Sequence, residues 1–446
     1  MTAGARLSSH AHGKRLTGKP VSVGLAAGAA LLVAALPVAM ALANRSAPVL
    51  LLLASLAAAA CIVTQAGWHS VGRGLVGLTR SPVAWGSVAF VTLSILSSAW
   101  SADHAASWRT IEEGAVPLLA GAVLLCLLPR VAPHWTGLAV ALGVIVAGLI
   151  SIGELRSGMP IRKALHLRAI AFEYNRPVLT MLALFWPLCA LAFRARSPRA
   201  FESRGEGLSA LPKFGATAMS LAFWLALAIT TIAIWASQSG TARFAQVSSI
   251  IAALFASRFP RAVLIALGIG VSVVFATVFA FGDFAWHLLP NSTYELLAWA
   301  HAADRVEIWR SFGAAALFHP FFGTGIGTSV TLGDTAVATQ VASEFRRMLS
   351  VGHPHNGYLQ IGVELGAVGC AIAIAIVLLM LRSWRGVSGP PLWSRVGLFT
   401  MIATAMLVGH GAWQAWWLAV SFLAGALIRT VEYPCDPRTI DAGANF

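Results

Sequence analysis

Residues 352–369 read GHPHNGYLQIGVELGAVG. Two histidines, His353 and His355, and Asn356 stand immediately before an apolar helical run. A neutral imidazole accepts a proton near pH 7. The positive end of a helix dipole disfavours imidazolium, so the helix mouth predicts a neutral His355 that serves as a general base. His355 is preferred to His353 because it directly precedes Asn356. A plainer reading makes the stretch an interfacial cap, with Asn356 satisfying free backbone N–H groups. His353 and His355 as metal ligands would need a third partner. Glu364 lies nine residues past His355, about 13 Å deeper at ~1.5 Å per residue and on the opposite helical face. A buried carboxylate there is costly, and it fits a structural hydrogen bond as well as a catalytic role.

Arginines supply the complementary chemistry. In DRVEIWRSFGAAALFHPFFGTGIG (304–327), Arg305 and Trp309 are spaced i, i+4 on one helical face. The indole is expected to stack on the guanidinium or orient it. In SQSGTAR (237–243), Arg243 ends a small-residue hairpin between two helices. Guanidinium groups grip phosphate oxygens in bidentate fashion.

The elements that must carry these residues are membrane spans. Of 446 residues, 58% are hydrophobic and 11% charged, and mean hydropathy is +0.76. Soluble domains carry roughly 25% charged residues, so the chain is an integral membrane protein. Apolar runs predict an all-α, polytopic fold of about twelve transmembrane helices near 22–43, 47–65, 83–101, 114–129, 135–153, 177–194, 216–236, 242–257, 261–282, 355–382, 395–410 and 413–430. The last pair is interrupted by GHGAW around Gly411. The first run, about 22 residues after Lys19, is too long for a signal-peptide core and is followed by further spans. All five cysteines are isolated, so neither a zinc site nor a disulfide framework is supported.

Charge placement orients the bundle. With a cytoplasmic tail at 1–21, nineteen of the 31 Lys and Arg fall on the cytoplasmic side against five acids, which accounts for the whole net charge of +14. Nucleic acid is therefore not an expected partner. The remaining twelve basic residues face outward and concentrate in three places: in a 156–176 loop that includes Arg162, Lys163, Arg168 and Arg176, at Arg243, and in a loop over 283–354. The 156–176 charges are equally readable as solvated or as phosphate-binding. The long loop has no span of its own, and long loops are usually functional. It contains an amphipathic pattern over 294–318 expected to lie on the membrane surface. The organisation is thus a tail, nine spans over 22–282, the outer loop, three spans over 355–431 and a tail over 432–446.

Together, Arg243, Arg305 with Trp309, Pro320 and GTGIG, and His355-Asn356 with Glu364, Gly366 and Gly369 resemble the O-antigen ligase and polymerase family of bacterial inner-membrane glycosyltransferases. Asn175, opening a helix in FEYNRPVLTMLALFWPL, is a weaker match to a family asparagine. The resemblance covers roughly 170–375. The serine turn reads Ser-Gly-Thr-Ala-Arg rather than the commoner Ser-Arg, which makes Arg243 less secure than Arg305. The resemblance implies transfer of a glycan from undecaprenyl diphosphate to an acceptor hydroxyl on the periplasmic face. The acceptor would be the lipid A core for a ligase, or a second lipid-linked glycan for a polymerase. His355 would be the base, with Arg305, Arg243 and Arg176 at the diphosphate and Trp309, Asn356, Glu364, His353 and Asn175 in support. Membrane lipids are the other expected partners. No cofactor and no metal are expected, because outer acids are scattered or paired and arginines can neutralise the leaving diphosphate in a metal's place.

Other signals are blander. Gly362, Gly366 and Gly369 permit close helix packing. GTGIG has no preceding strand and reads as a turn rather than a dinucleotide fingerprint. A twelve-helix transporter would show internal repeats and mid-membrane charges; the halves show no repeat, and the polar groups gather at one face.

Overall fold

The computed structural model describes residues 20–195 and 213–432. The expected tails, save their helical ends at Pro20–Val21 and Glu432, lie outside these residues, as do Arg196, Arg199 and Arg204, which are among the basic residues expected on the cytoplasmic side. The described residues are helical without strands. The principal helices are α1 (Pro20–Leu42), α2 (Ala47–Ala66), α3 (Pro82–Leu96), α4 (His104–Val131), α5 (Thr136–Arg156), α6 (Asn175–Ala195) and α7 (Lys213–Ala236). Then follow α8 (Gly240–Arg258), α9 (Pro260–Ala276), α10 (Phe281–Leu288), α11 (Ala302–Ala316), α12 (Gly357–Ser383), α13 (Pro390–Val408) and α14 (Ala415–Glu432).

Every one of the twelve apolar runs is helical, but they are not equivalent as spans. Nine helices among the described residues are long and apolar enough to cross a bilayer, or ten if one bent pair counts as a span. That pair is α9 with α10, bent by 99°, so the run at 261–282 is a broken element. In α14 the apolar stretch is Ala415–Val431, short of a full span. Arg243, Gln246, Ser248 and Ser249 dilute the apolar face of α8.

Local sequence sets the helix starts. Prolines open α3, α9 and α13, where a missing N–H costs nothing. Asp103 caps α4 by accepting from Ala106 N at 3.0 Å, and Ser239 caps α8 by accepting from Ala242 N at 3.2 Å. A large core of Ala, Leu, Val and Trp joins α1, α2, α4–α8, α13 and α14. A second core joins α9, α11 and α12 through Phe275, Phe312, Trp309 and Tyr358.

The amphipathic helix in the long loop is shorter than its sequence pattern. It begins at Ala302, because His301 takes a left-handed conformation (φ 53°) that ends the preceding turn. Its apolar residues Val306, Ile308, Trp309 and Phe312 are buried against neighbouring protein segments. Those side chains find a protein partner, so this face does not rest on lipid.

The decisive local feature is a break inside α12. Gly366 has φ 63° and ψ −163°, and the helix kinks there. A Cβ at Gly366 would lie 2.3 Å from the Phe321 carbonyl carbon, so only glycine lets the two backbones meet. The segment 320–325 fills the break. Thr324 N donates to Val363 O (2.9 Å), Gly325 N to Glu364 O (2.9 Å), and Ala367 N to Pro320 O (2.8 Å). Backbone groups freed by the kink are thereby paired, as burial requires. GTGIG is indeed a turn, wedged into a helix.

Candidate active site

Residues 356–366 form an uninterrupted buried half-helix upstream of the kink. Asn356, itself 0% exposed, caps it: Oδ1 accepts from Tyr358 N at 3.0 Å and Leu359 N at 3.1 Å. The capping reading of Asn356 is therefore correct in geometry. Its buried Nδ2 finds no partner.

His355 precedes this cap with φ 49°, a conformation uncommon outside glycine. That twist brings its ring to 4.0 Å, centroid to centroid, from His353. The His355 backbone N–H donates to His353 Nδ1 at 3.1 Å, which assigns the His353 proton to Nε2 when that ring is neutral. Burial, then the neighbouring His353 and Arg305, press the His355 pKa down to about 3, while a hydrogen bond with the Gly409 backbone opposes them. His355 is thus neutral in the free protein, but mainly through burial rather than through the helix dipole. His353 is lowered for the same reason.

Arg305 lies on α11 near His355 and is half-buried. Its Nη1 donates to the Val408 carbonyl at the end of α13. No carboxylate within the described residues pairs with it, and burial lowers its pKa. Trp309, expected to stack on Arg305, instead packs on Phe281 at 5.2 Å, and its Nε1 is unpartnered. The i, i+4 spacing placed the two residues on one helical side, yet the apolar indole turned into the second core.

Arg243 is held differently. Its Nη2 donates to Ser237 O at 2.5 Å and Trp235 O at 3.2 Å, and Cζ sits over the Trp235 and Trp299 rings at 5.6 and 5.4 Å. The Ser-Gly-Thr-Ala turn thus clamps its own arginine between two indoles. Arg176 in the first turn of α6 lies over Trp416 at 5.5 Å. Asn175 opens that helix, and its Oδ1 is buried without a partner.

The 156–176 basic residues divide. Arg162 is 4% exposed; it donates from Nε to Arg168 O at 2.7 Å and faces Glu173 at 3.8 Å. Glu154 accepts from the backbones of Ile161 (2.7 Å) and Arg162 (3.0 Å). Arg162 therefore builds the loop, whereas Lys163 and Arg168 are exposed.

Glu364 is structural in its contacts. Fully buried, it accepts from Gly327 N (2.5 Å), Ser329 N (3.2 Å), Gln360 Nε2 (3.0 Å) and Trp413 Nε1 (2.5 Å). One carboxylate therefore ties the 323–329 loop to α12 and to the break between α13 and α14.

That break holds the residue sequence reasoning passed over. His410 is half-buried between Trp417 (5.3 Å, stacked) and Trp416 (5.4 Å), and desolvation leads a fall in its pKa to about 4. His353, Arg176 and Arg305 lower it further, which places all three nearby. The available signal was a histidine between two glycines interrupting an apolar run.

Arg243, Arg305 and His355 all fall within residues 223–374, which match a family model described as O-antigen ligase. Over this stretch the protein is similar to the O-antigen ligase family. A protein of Rickettsia prowazekii (strain Madrid E), named as a candidate polysaccharide ligase, is 26% identical over 138 residues, covering 30% of this chain and 33% of that one. A Rickettsia conorii (strain ATCC VR-613 / Malish 7) protein of the same description is 23% identical over 136 residues, with the same coverage. The chain thus spans about a third of the length of these relatives. No solved structure matches the chain. Arg176, Asn175 and His410 lie outside the matched family stretch.

Proposed function

We propose that this protein is an O-antigen ligase-type glycosyltransferase of the bacterial inner membrane. It moves a glycan from undecaprenyl diphosphate to an acceptor hydroxyl, the lipid A core, on the periplasmic face. The observation that carries this reading is a half-buried, neutral His355 beside an arginine, Arg305, that has no carboxylate partner among the described residues. One group accepts a proton, and the other keeps its positive charge available for an anion.

In the reaction, the acceptor hydroxyl gives its proton to His355 as its oxygen bonds to the anomeric carbon. The bond from that carbon to the diphosphate oxygen breaks, and undecaprenyl diphosphate leaves with the electron pair. Arg305 neutralises the charge that grows on it, with Arg176 and Arg243 as further cations at the membrane surface. A base with a pKa near 3 is weak by itself. The negative charge of a bound diphosphate offsets Arg305 and raises His355 toward the working range.

The donor chemistry supports a metal-independent route. Among the described residues no three His, Cys, Asp or Glu side chains converge as a metal site, and Arg305 supplies a fixed positive charge beside His355. Purified protein in bilayer discs, supplied with a glycan on undecaprenyl diphosphate and with lipid A core, tests the proposal. Glycan should appear on the lipid A core. Transfer only to a second lipid-linked glycan would make the protein a polymerase instead, and no transfer to either would remove the glycosyltransferase reading.

A further inference from the structure

We infer that the helix break at 409–413 is the positioning element of the site, with Gly409 at its start, its backbone orienting the His355 ring. This rests on the glycosyltransferase reading of His355 and Arg305. The last carbonyls of a helix have no intrahelical donors and carry partial negative charge. At the end of α13 the Ala405 carbonyl is satisfied twice, by Gly409 N (3.1 Å) and His410 N (2.9 Å). Two later backbone groups turn to the site: Val408 O receives the Arg305 guanidinium, and the Gly409 backbone hydrogen-bonds the His355 ring.

This arrangement does what a carboxylate partner could not. An aspartate or glutamate would orient Arg305 but also cancel its charge and compete with an anionic substrate. A carbonyl orients it and leaves the full positive charge. For His355, a ring N–H given to a backbone carbonyl fixes one tautomer and keeps the other nitrogen's lone pair for the acceptor proton. The orienting role that a carboxylate has in many nucleophile–base arrangements thus falls to the main chain.

The break is fixed from three sides. A Cβ at Gly409 would lie 2.3 Å from Thr241 Oγ1, in the first turn of α8. Ala412 N donates to Gln360 Oε1 (2.8 Å), and Trp413 reaches Glu364. His410 is stacked between Trp416 and Trp417. Glycine at 409 is the only residue that lets the carbonyl ledge sit this close to α8.

The test is Gly409→Ala, with and without Thr241→Ala, which removes the hydroxyl and methyl the new Cβ would strike. Transfer rates and ¹⁵N histidine spectra are recorded, His355 being assigned by difference from His355→Ala. Gly409→Ala should slow transfer by about 10²-fold, the scale of a roughly 1 Å misplacement, and should turn a single His355 tautomer into a mixture. The added Thr241→Ala should recover most of the rate and the single tautomer. Wild-type rate and tautomer in Gly409→Ala, beside an inactive His355→Ala, overturn the inference and leave the proposed function standing. Unrescued loss with an unchanged tautomer also overturns it. An active His355→Ala instead removes the base reading itself. Should Gly409→Ala not accumulate, a mixed His355 tautomer in wild-type protein decides against the inference.

Discussion

Glu364→Gln is the sharpest probe of how the site is held together. The substitution keeps the shape of the side chain and exchanges one acceptor oxygen for an NH₂ donor. Four donors converge on this carboxylate, two on each oxygen: Gly327 N and Trp413 Nε1 on Oε2, Ser329 N and Gln360 Nε2 on Oε1. Whichever way the amide turns, two buried donors then face a donor. Each buried group left unpaired costs about 1–3 kcal/mol, so the expected destabilisation is about 2–6 kcal/mol. The cost falls on the joint between the 323–329 loop, the upstream half of α12 and the 409–413 break. Melting in detergent, followed by intrinsic tryptophan fluorescence, should drop clearly. Transfer should slow at temperatures where the variant is still folded, because His355 and Arg305 both lean on that break. A variant with wild-type melting and wild-type transfer would refute the argument that Glu364 clamps the site.

Four further outcomes follow from the geometry. His355→Ala should lower turnover by about 10²–10⁴-fold, the scale of a lost general base, while diphosphate-lipid binding, measured by native mass spectrometry, persists. Arg305→Lys keeps the charge but loses the planar fork, so initial rates should fall well below wild type and Arg305→Ala further still; wild-type rates for the lysine variant would remove Arg305 from the site. Because His355 in the free protein stays neutral down to a pH of about 3, the acidic limb of kcat/KM should lie well below that of an ordinary histidine. The acidic limb of kcat should sit at higher pH, since bound diphosphate raises the group, and coincident limbs would contradict this. Excess EDTA should leave transfer intact, and complete loss restored by Mg²⁺ or Mn²⁺ would overturn the metal-independent route.

Much of this fold could be read from the sequence because a bilayer imposes a simple rule: about 20 apolar residues per span. All twelve runs are helices. The three stretches bearing Arg243, Arg305 and His355 were recognisable because residue type and spacing are local properties. What could not be read is which partner each side chain finds across the chain. Trp309 shares a helical side with Arg305, yet Phe281 offered its indole an apolar face. The run at 261–282 has the composition of one span, but the chain turns by 99° after Ala276 and delivers α10 against α11. Arg162 looked like its exposed neighbours, and only the folded loop reveals Glu173 beside it and Glu154 beneath its backbone.

The deepest gap concerns the main chain. Val408 and Gly409 contribute backbone groups, and a carbonyl has no residue type to betray it. Their value comes from where two helices stop. Gly366 breaks α12 so that the 320–325 segment can pair with its freed groups. Glu364, two residues before that kink, reaches both the inserted loop and Trp413 in the other break. Two interruptions in otherwise apolar helices are therefore joined by one carboxylate. A continuous helix would satisfy its own carbonyls and have none to offer. The groups freed in α12 are taken up by the 320–325 segment, whereas the end of α13 leaves the Val408 carbonyl to receive Arg305. Under the proposed function the two glycines divide the work: Gly366 admits the 320–325 segment, and Gly409 lets the end of α13 pass close to α8.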